Sequence, residues 1–153
     1  MPVDPLRAAP TWARRRPLHI VVADDERDTV LTLAAILTHE GHSVCGASKG
    51  PDAILHARRQ KPDALILDID MPGASGYSVA REILEIFKPW PPLLIAISGK
   101  WVGQTDRMLA DLAGFNHFLQ KPCEPEALLE LLEPLRLAPP REDGTLPPGE
   151  RHP

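Results

Sequence analysis

The sequence predicts a doubly wound α/β domain, a five-stranded parallel sheet flanked by five helices. Three observations carry this. Strand-like and helix-like segments alternate along the chain, and parallel strands require helical crossovers. The runs Ala64-Leu65-Ile66-Leu67 and Leu93-Leu94-Ile95-Ala96-Ile97 are apolar without interruption, as in strands buried on both faces. Four strand-like runs also end on reactive groups: His19-Ile20-Val21-Val22-Ala23 on Asp24-Asp25, the Ala64 run on Asp68, the Leu93 run on Ser98, and Phe118-Leu119-Gln120 on Lys121-Pro122.

The elements follow in order. After the first strand, Val30, Leu33, Ala34 and Leu37 recur at i, i+3, i+4, i+7, and Gly41 stops that helix. Ser43 to Ala47 reads as a short second strand, and Gly50-Pro51-Asp52 opens a helix that closes before Lys61-Pro62. The third strand runs from Asp63 to Leu67. Tyr77 to Phe87 reads as a helix with Val79, Ala80, Ile83 and Phe87 on one side, followed by the Leu93 strand. Gln104 to Ala113 is helical up to Gly114, and His117-Phe118-Leu119 is the last strand. Pro125 suits the first turn of a final helix with Leu128, Leu131, Leu132 and Leu135 on one face, which Pro134 should kink or end.

A chain of 153 residues fits one domain with a sizeable core. Prolines cluster at both ends, which divides the chain into a flexible Arg- and Pro-containing extension (1–16), a folded domain (17–138) and a disordered Pro-rich tail (139–153). The net charge is −4, yet residues 1–16 carry +3, so the folded part is acidic and offers no basic nucleic-acid surface. Arg14-Arg15-Arg16 reads as a solvated arm. Cys45 and Cys123 lack metal-ligand spacing and imply no disulfide. The six histidines are scattered, and surface or strand positions account for them. No secretory signal or membrane span is read, which points to a cytoplasmic location.

In an open parallel sheet the carboxyl ends of the strands share one edge, where ligands bind. That edge collects Asp24, Asp25, Asp68, Ser98 and Lys121. Clustered carboxylates stay ionised only beside a cation, and a hard divalent ion with oxygen ligands suits them. An aspartate can act as nucleophile toward phosphorus and form an acyl phosphate. Lys121 can pair with phosphoryl oxygens, and the Ser98 hydroxyl can donate to one. This is the inventory of a phosphoryl-transfer site.

The ordered set of motifs resembles the receiver domains of two-component response regulators, a flavodoxin-like fold of the chemotaxis-regulator type. It comprises Asp24-Asp25, Pro62-Asp63, Leu67-Asp68-Ile69-Asp70-Met71-Pro72-Gly73, Ser98-Gly99 and Phe118-Leu119-Gln120-Lys121-Pro122, and spans about Pro17 to Leu137. Each motif alone is weak; their order is specific. The resemblance implies that Asp68 is the phosphoacceptor, that Asp25 binds Mg²⁺ (or Mn²⁺) directly with Asp24 acting through water, and that Asp68 and the Asp70 main-chain carbonyl complete the metal set. It further implies Ser98 as switch hydroxyl, Phe118 as rotating aromatic, a cis bond before Pro122, and Asp70 and Lys100 as positions that tune phosphate lifetime. The donor would be a histidine kinase or phosphotransfer protein and the output a downstream protein target, with no nucleic acid or membrane partner. The chain would work as a stand-alone receiver, monomeric or homodimeric. Thr is commoner than Ser at position 98, but Ser keeps the hydroxyl.

Blander explanations exist for each residue. Asp24-Asp25 could be a solvated turn, Asp68 a cap, Ser98 a loop hydroxyl and Lys121 a surface charge, but together these need five coincidences. Phe118 is explained as well by core packing as by switching. Asp68-Ile69-Asp70 is also similar to the nucleophile motif of haloacid-dehalogenase-like phosphatases. Against that reading, the acidic pair precedes the motif, position 72 is Pro, and there is no room for a cap over the substrate. A non-phosphorylated docking receiver is the third reading.

Overall fold

The computed structural model describes residues 16–99 and 103–137. It contains β1 (His19–Ala23), α1 (Arg27–His39), β2 (Ser43–Ala47), α2 (Gly50–Gln60), β3 (Ala64–Asp68), α3 (Gly76–Ile86), β4 (Leu93–Ser98), α4 (Gln104–Ala113), β5 (His117–Gln120) and α5 (Pro125–Leu137). The five strands form one parallel sheet in the order β2-β1-β3-β4-β5.

Alternation along each strand separates two cores. Val21, Ala23, Leu65, Leu67, Leu94 and Ala96 meet the small and branched residues of α2, α3 and α4 on one face. Ile20, Val22, Ala64, Ile66, Ile95 and Ile97 meet Leu33 and Leu37 of α1 and Leu128 and Leu132 of α5 on the other. Burying both faces is why β3 and β4 are apolar throughout; each fully buried Leu or Ile contributes about 1.5–3 kcal/mol.

Helix ends follow local chemistry. α3 starts at Ser75, whose hydroxyl accepts from the Ser78 amide at 3.3 Å. α4 ends at Gly114, whose φ of +101° favours glycine, as the sequence indicated.

Two expectations are corrected and one, for Pro134, is narrowed. α5 runs through Pro134 to Leu137 and is not ended by it. Pro134 lies in the last turn, where its missing N–H costs one bond, and Leu131, Leu132 and Leu135 pack that turn onto the α1–α5 face. Arg16, assigned to the flexible extension, belongs to the fold. Its amide donates to Arg136 O at 3.0 Å, Arg136 Nε donates back to Arg16 O at 3.2 Å, and its guanidinium pairs with Asp63 at 3.0 Å. His42 is no surface residue. It is buried, and its Nδ1 accepts the Leu18 amide at 3.0 Å, which pins β1 to the start of β2. The arm before Arg16, Lys100, Trp101 and the tail 139–153 lie outside the described residues.

Asp63 is a buried acid that also accepts the His19 amide at 2.9 Å. Arg16→Met removes its charge partner and should cost about 1–2 kcal/mol of stability. Equilibrium urea unfolding checks this, and an unchanged midpoint would show that the pair adds nothing net to stability.

Candidate functional site

Because all five strands are parallel, their carboxyl ends lie along one edge. The strand order reverses direction between β1 and β3, which opens a crevice there. Asp24 and Asp25 follow β1 directly, Asp68 is the last residue of β3, Ser98 is the last of β4, and Lys121 follows β5. The structure therefore brings together the five residues expected at this edge. Asp24, Asp68 and Ser98 are buried, Asp25 is exposed, and one oxygen from each of Asp24, Asp25 and Asp68 lies within 4.8 Å of the others.

Backbone amides orient two of the acids. The Glu26 amide donates to Asp24 Oδ1 at 2.8 Å, and the Asp70 amide donates to Asp68 Oδ1 at 3.2 Å. The Lys121 ammonium lies 2.6 Å from Asp24 Oδ2, 3.5 Å from Asp68 Oδ2 and 3.7 Å from Glu26 Oε1. Asp24 Oδ2 is buried, and its one close cation is the Lys121 ammonium at 2.6 Å among the contacts of the described residues.

One ammonium does not neutralise this cluster. Burial, the Asp24 charge and a hydrogen bond with Asp25 push the Asp68 carboxyl up to about 7, against the opposing Asp70 amide and Lys121. Burial by itself would lower Lys121, but its contact with Asp24 and the charges of Asp68 and Glu26 outweigh that and raise it. Lys121 therefore stays protonated at neutral pH. Three convergent carboxylates, two of them buried and only partly neutralised by one ammonium, form the donor set of a hard divalent cation, so Mg²⁺ fits the residues present.

The remaining expected residues are placed as follows. The Lys121 amide donates to Ser98 O at 2.8 Å and ties the ends of β4 and β5 together. Phe118 is half-buried and packs against the α2–α3–α4 core. Asp70 is exposed, with its backbone turned to the acceptor. The Lys121–Pro122 peptide is cis, as is Lys88–Pro89. Cys45 and Cys123 are free and half-buried.

Two participants escaped sequence reasoning. Glu26 reaches Lys121, and its place directly after the acidic pair was an available signal. Arg107 lies over the Phe118 ring, with Cζ 5.7 Å from the centroid, and no local pattern announces that contact.

The family profile of the response regulator receiver domain matches residues 20–133. The chain is 31% identical over 113 residues to PilH of Pseudomonas aeruginosa, which covers 74% of this chain and 93% of that protein. It is 36% identical over 107 residues to the response regulator PleD of Caulobacter vibrioides, covering 69% of this chain but 23% of the longer protein. Among solved structures, the N-terminal domain of a Wolinella succinogenes protein is 29% identical with a TM-score of 0.71, over 78% of this chain and 94% of that one. A CheY-like receiver domain protein from Methanospirillum hungatei shares the fold at 20% identity and a TM-score of 0.71, over 79% and 94% of the two chains. The phosphatase alternative is not favoured. The chain belongs to the response regulator receiver domain family, and its role is that of a phosphoacceptor in signalling.

Proposed function

We propose that Asp68 accepts the phosphoryl group, from a histidine kinase or a phosphotransfer protein, and that the modified domain acts through a downstream protein target in the cytoplasm. The observation that carries this reading is the convergence of the Asp24, Asp25 and Asp68 carboxylates within 4.8 Å, with the Lys121 ammonium 3.5 Å from Asp68. Mg²⁺ (or Mn²⁺) would be held by Asp24, Asp25, Asp68 and the Asp70 main-chain carbonyl. When bound, it neutralises the acids and the oxygens of the incoming group.

The residues of the chain have distinct tasks. The Asp70 amide fixes one Asp68 oxygen and leaves the other on the Lys121 side. An Asp68 oxygen attacks phosphorus in line; the new O–P bond forms as the donor's P–N bond breaks, and the departing imidazole takes its proton from solvent. Lys121 then shares its charge with the phosphoryl oxygens. The Ser98 hydroxyl turns to donate to one of them, and Phe118 follows it inward. Asp70 and Lys100 adjust the lifetime of the acyl phosphate, as the family resemblance implies.

A local charge event of this kind biases a two-state surface, here the face of α4, β5 and α5. The acidic folded part gives no basis for a nucleic-acid partner. Among the described residues, no helix is long and apolar enough to cross a membrane.

Intact mass after incubation with acetyl phosphate tests the metal's part. One phosphoryl group per chain is expected with Mg²⁺ and none with EDTA; equal uptake in EDTA would remove the metal from the mechanism.

A further inference from the structure

The Phe118 side chain sits between α4 and the face of β4 that carries Ser98. In the present arrangement its ring borders a cleft of about 400 Å³ between α4 and β5, whose lining includes Gln104, Arg107 and Asp111. Arg107 reaches over this ring from α4, at 5.7 Å, within the range where a guanidinium is attracted to an aromatic face. The strand register sets Phe118 opposite Ala96, with Ser98 two residues further along β4 and so on the same face of the sheet. The register partner on β4, Ala96, presents only a methyl beside the ring, so the small side chain lies in the direction of Ser98.

We propose that Arg107 is a positioning residue whose guanidinium holds Phe118 on the α4 side and thereby sets how much of the unphosphorylated protein has the ring turned toward Ser98. This rests on the reading of Ser98 and Phe118 as the switch pair. The contact belongs to the outward ring, because a ring that moves toward Ser98 leaves the α4 cleft. Arg107 is exposed, so its effect is graded: its loss multiplies the inward-to-outward ratio by about two- to fivefold. Any ligand that prefers the inward ring then binds more tightly by up to the same factor. The latch would lower the background signal of the output face before phosphorylation and yield once a phosphoryl group draws Ser98 and the ring together.

A purely structural alternative is that the hydrocarbon stem of Arg107 covers the ring. Arg107→Met keeps the stem and removes the charge, which separates the two. The chain has three phenylalanines, so the full-length protein can be labelled with fluorophenylalanine and its three fluorine resonances followed, with Phe118→Leu identifying the signal of residue 118. The probe is beryllofluoride with Mg²⁺, a mimic of the acyl phosphate.

Arg107→Met should shift the free protein's Phe118 resonance toward its beryllofluoride-saturated position and raise beryllofluoride affinity about two- to fivefold. Phe118→Leu should abolish that gain. A Phe118 signal that moves with beryllofluoride but is untouched by Arg107→Met would overturn the latch and leave the switch standing. So would an affinity gain that survives in Phe118→Leu. A Phe118 signal that does not respond to beryllofluoride in the wild type would sink the switch reading itself, and the latch with it.

Discussion

Asp68→Asn should take up no phosphoryl group from acetyl phosphate under conditions that label the wild type fully, and in the absence of metal it should be the more stable protein above neutral pH. The first effect follows from chemistry: an amide oxygen is a poor nucleophile toward phosphorus and cannot carry the acyl phosphate. Uptake at the wild-type rate, read by intact mass, would move the acceptor elsewhere in the acidic cluster.

The second effect follows from the crowding that makes the site useful. Burial and the Asp24 charge raise Asp68 to about 7, far above its value in an unfolded chain. Between about pH 4 and pH 7 the folded state therefore binds more protons than the unfolded state, and stability falls as pH rises through that window. Above it the penalty is complete. Asparagine cannot ionise, can still accept the Asp70 amide, and escapes the penalty. Because the acids titrate together, the gain for Asp68→Asn at pH 8 is about 1–3 kcal/mol, shrinking toward zero near pH 4. Urea unfolding at both pH values in EDTA measures it; a variant less stable than wild type at pH 8 would show that the cluster is not repulsive.

Gly76→Ala is expected to damage both stability and activity. A Cβ at Gly76 would lie 2.5 Å from Asp68 O and 2.8 Å from Ile69 Cα, and both are backbone atoms that cannot rotate aside. The Gly76 amide also donates to Ile69 O at 2.9 Å, so the first turn of α3 is pressed against the end of β3. The methyl must push the helix away from the acceptor or tilt the acceptor itself. A loss of about 2–4 kcal/mol is expected, together with a fall on the order of 10²-fold in the rate of phosphorylation by acetyl phosphate. Gly73→Ala is the control. Gly73 has φ +84° with open space around it, so its cost is conformational, about 1–2 kcal/mol, and the acceptor should keep its rate. Equal rates for Gly76→Ala and wild type would show that the loop yields to the methyl.

The order of strands and helices was legible because its signals are local. Val30, Leu33 and Leu37 announce α1 by period, Gly41 and Gly114 mark helix ends, and the unbroken apolar runs of β3 and β4 declare a sheet covered on both faces. The reactive edge was legible for a topological reason: once the strands are parallel, the residues after β1, β3, β4 and β5 must converge. What escaped depends on contacts distant in sequence. Arg16 and Asp63 are 47 residues apart, and their pairing exists only because β1 lies between β2 and β3. His42 is enclosed by β1 and the helices around it, which its own neighbours in sequence do not reveal. Pro134 left two outcomes open, a kink or an end, and the helix does not end there because the neighbouring leucines hold the following residues in place. Phe118 divided two explanations evenly, and the structure adds a partner, Arg107, that only the α4–β5 approach could supply.

The paired hydrogen bonds between Arg16 and Arg136 mean that the chain enters and leaves the fold at one corner, beside Asp63 and the first residues of β1 and β3. The acid cluster sits at the other end of those strands. A domain with adjoining ends can be spliced into a surface loop of a host protein without stretching either partner. Used as such a cassette, residues 16–137 would present their phosphorylation edge to solvent and their joints to the host. A change of state at the far edge could then be read out as strain in the host's loop.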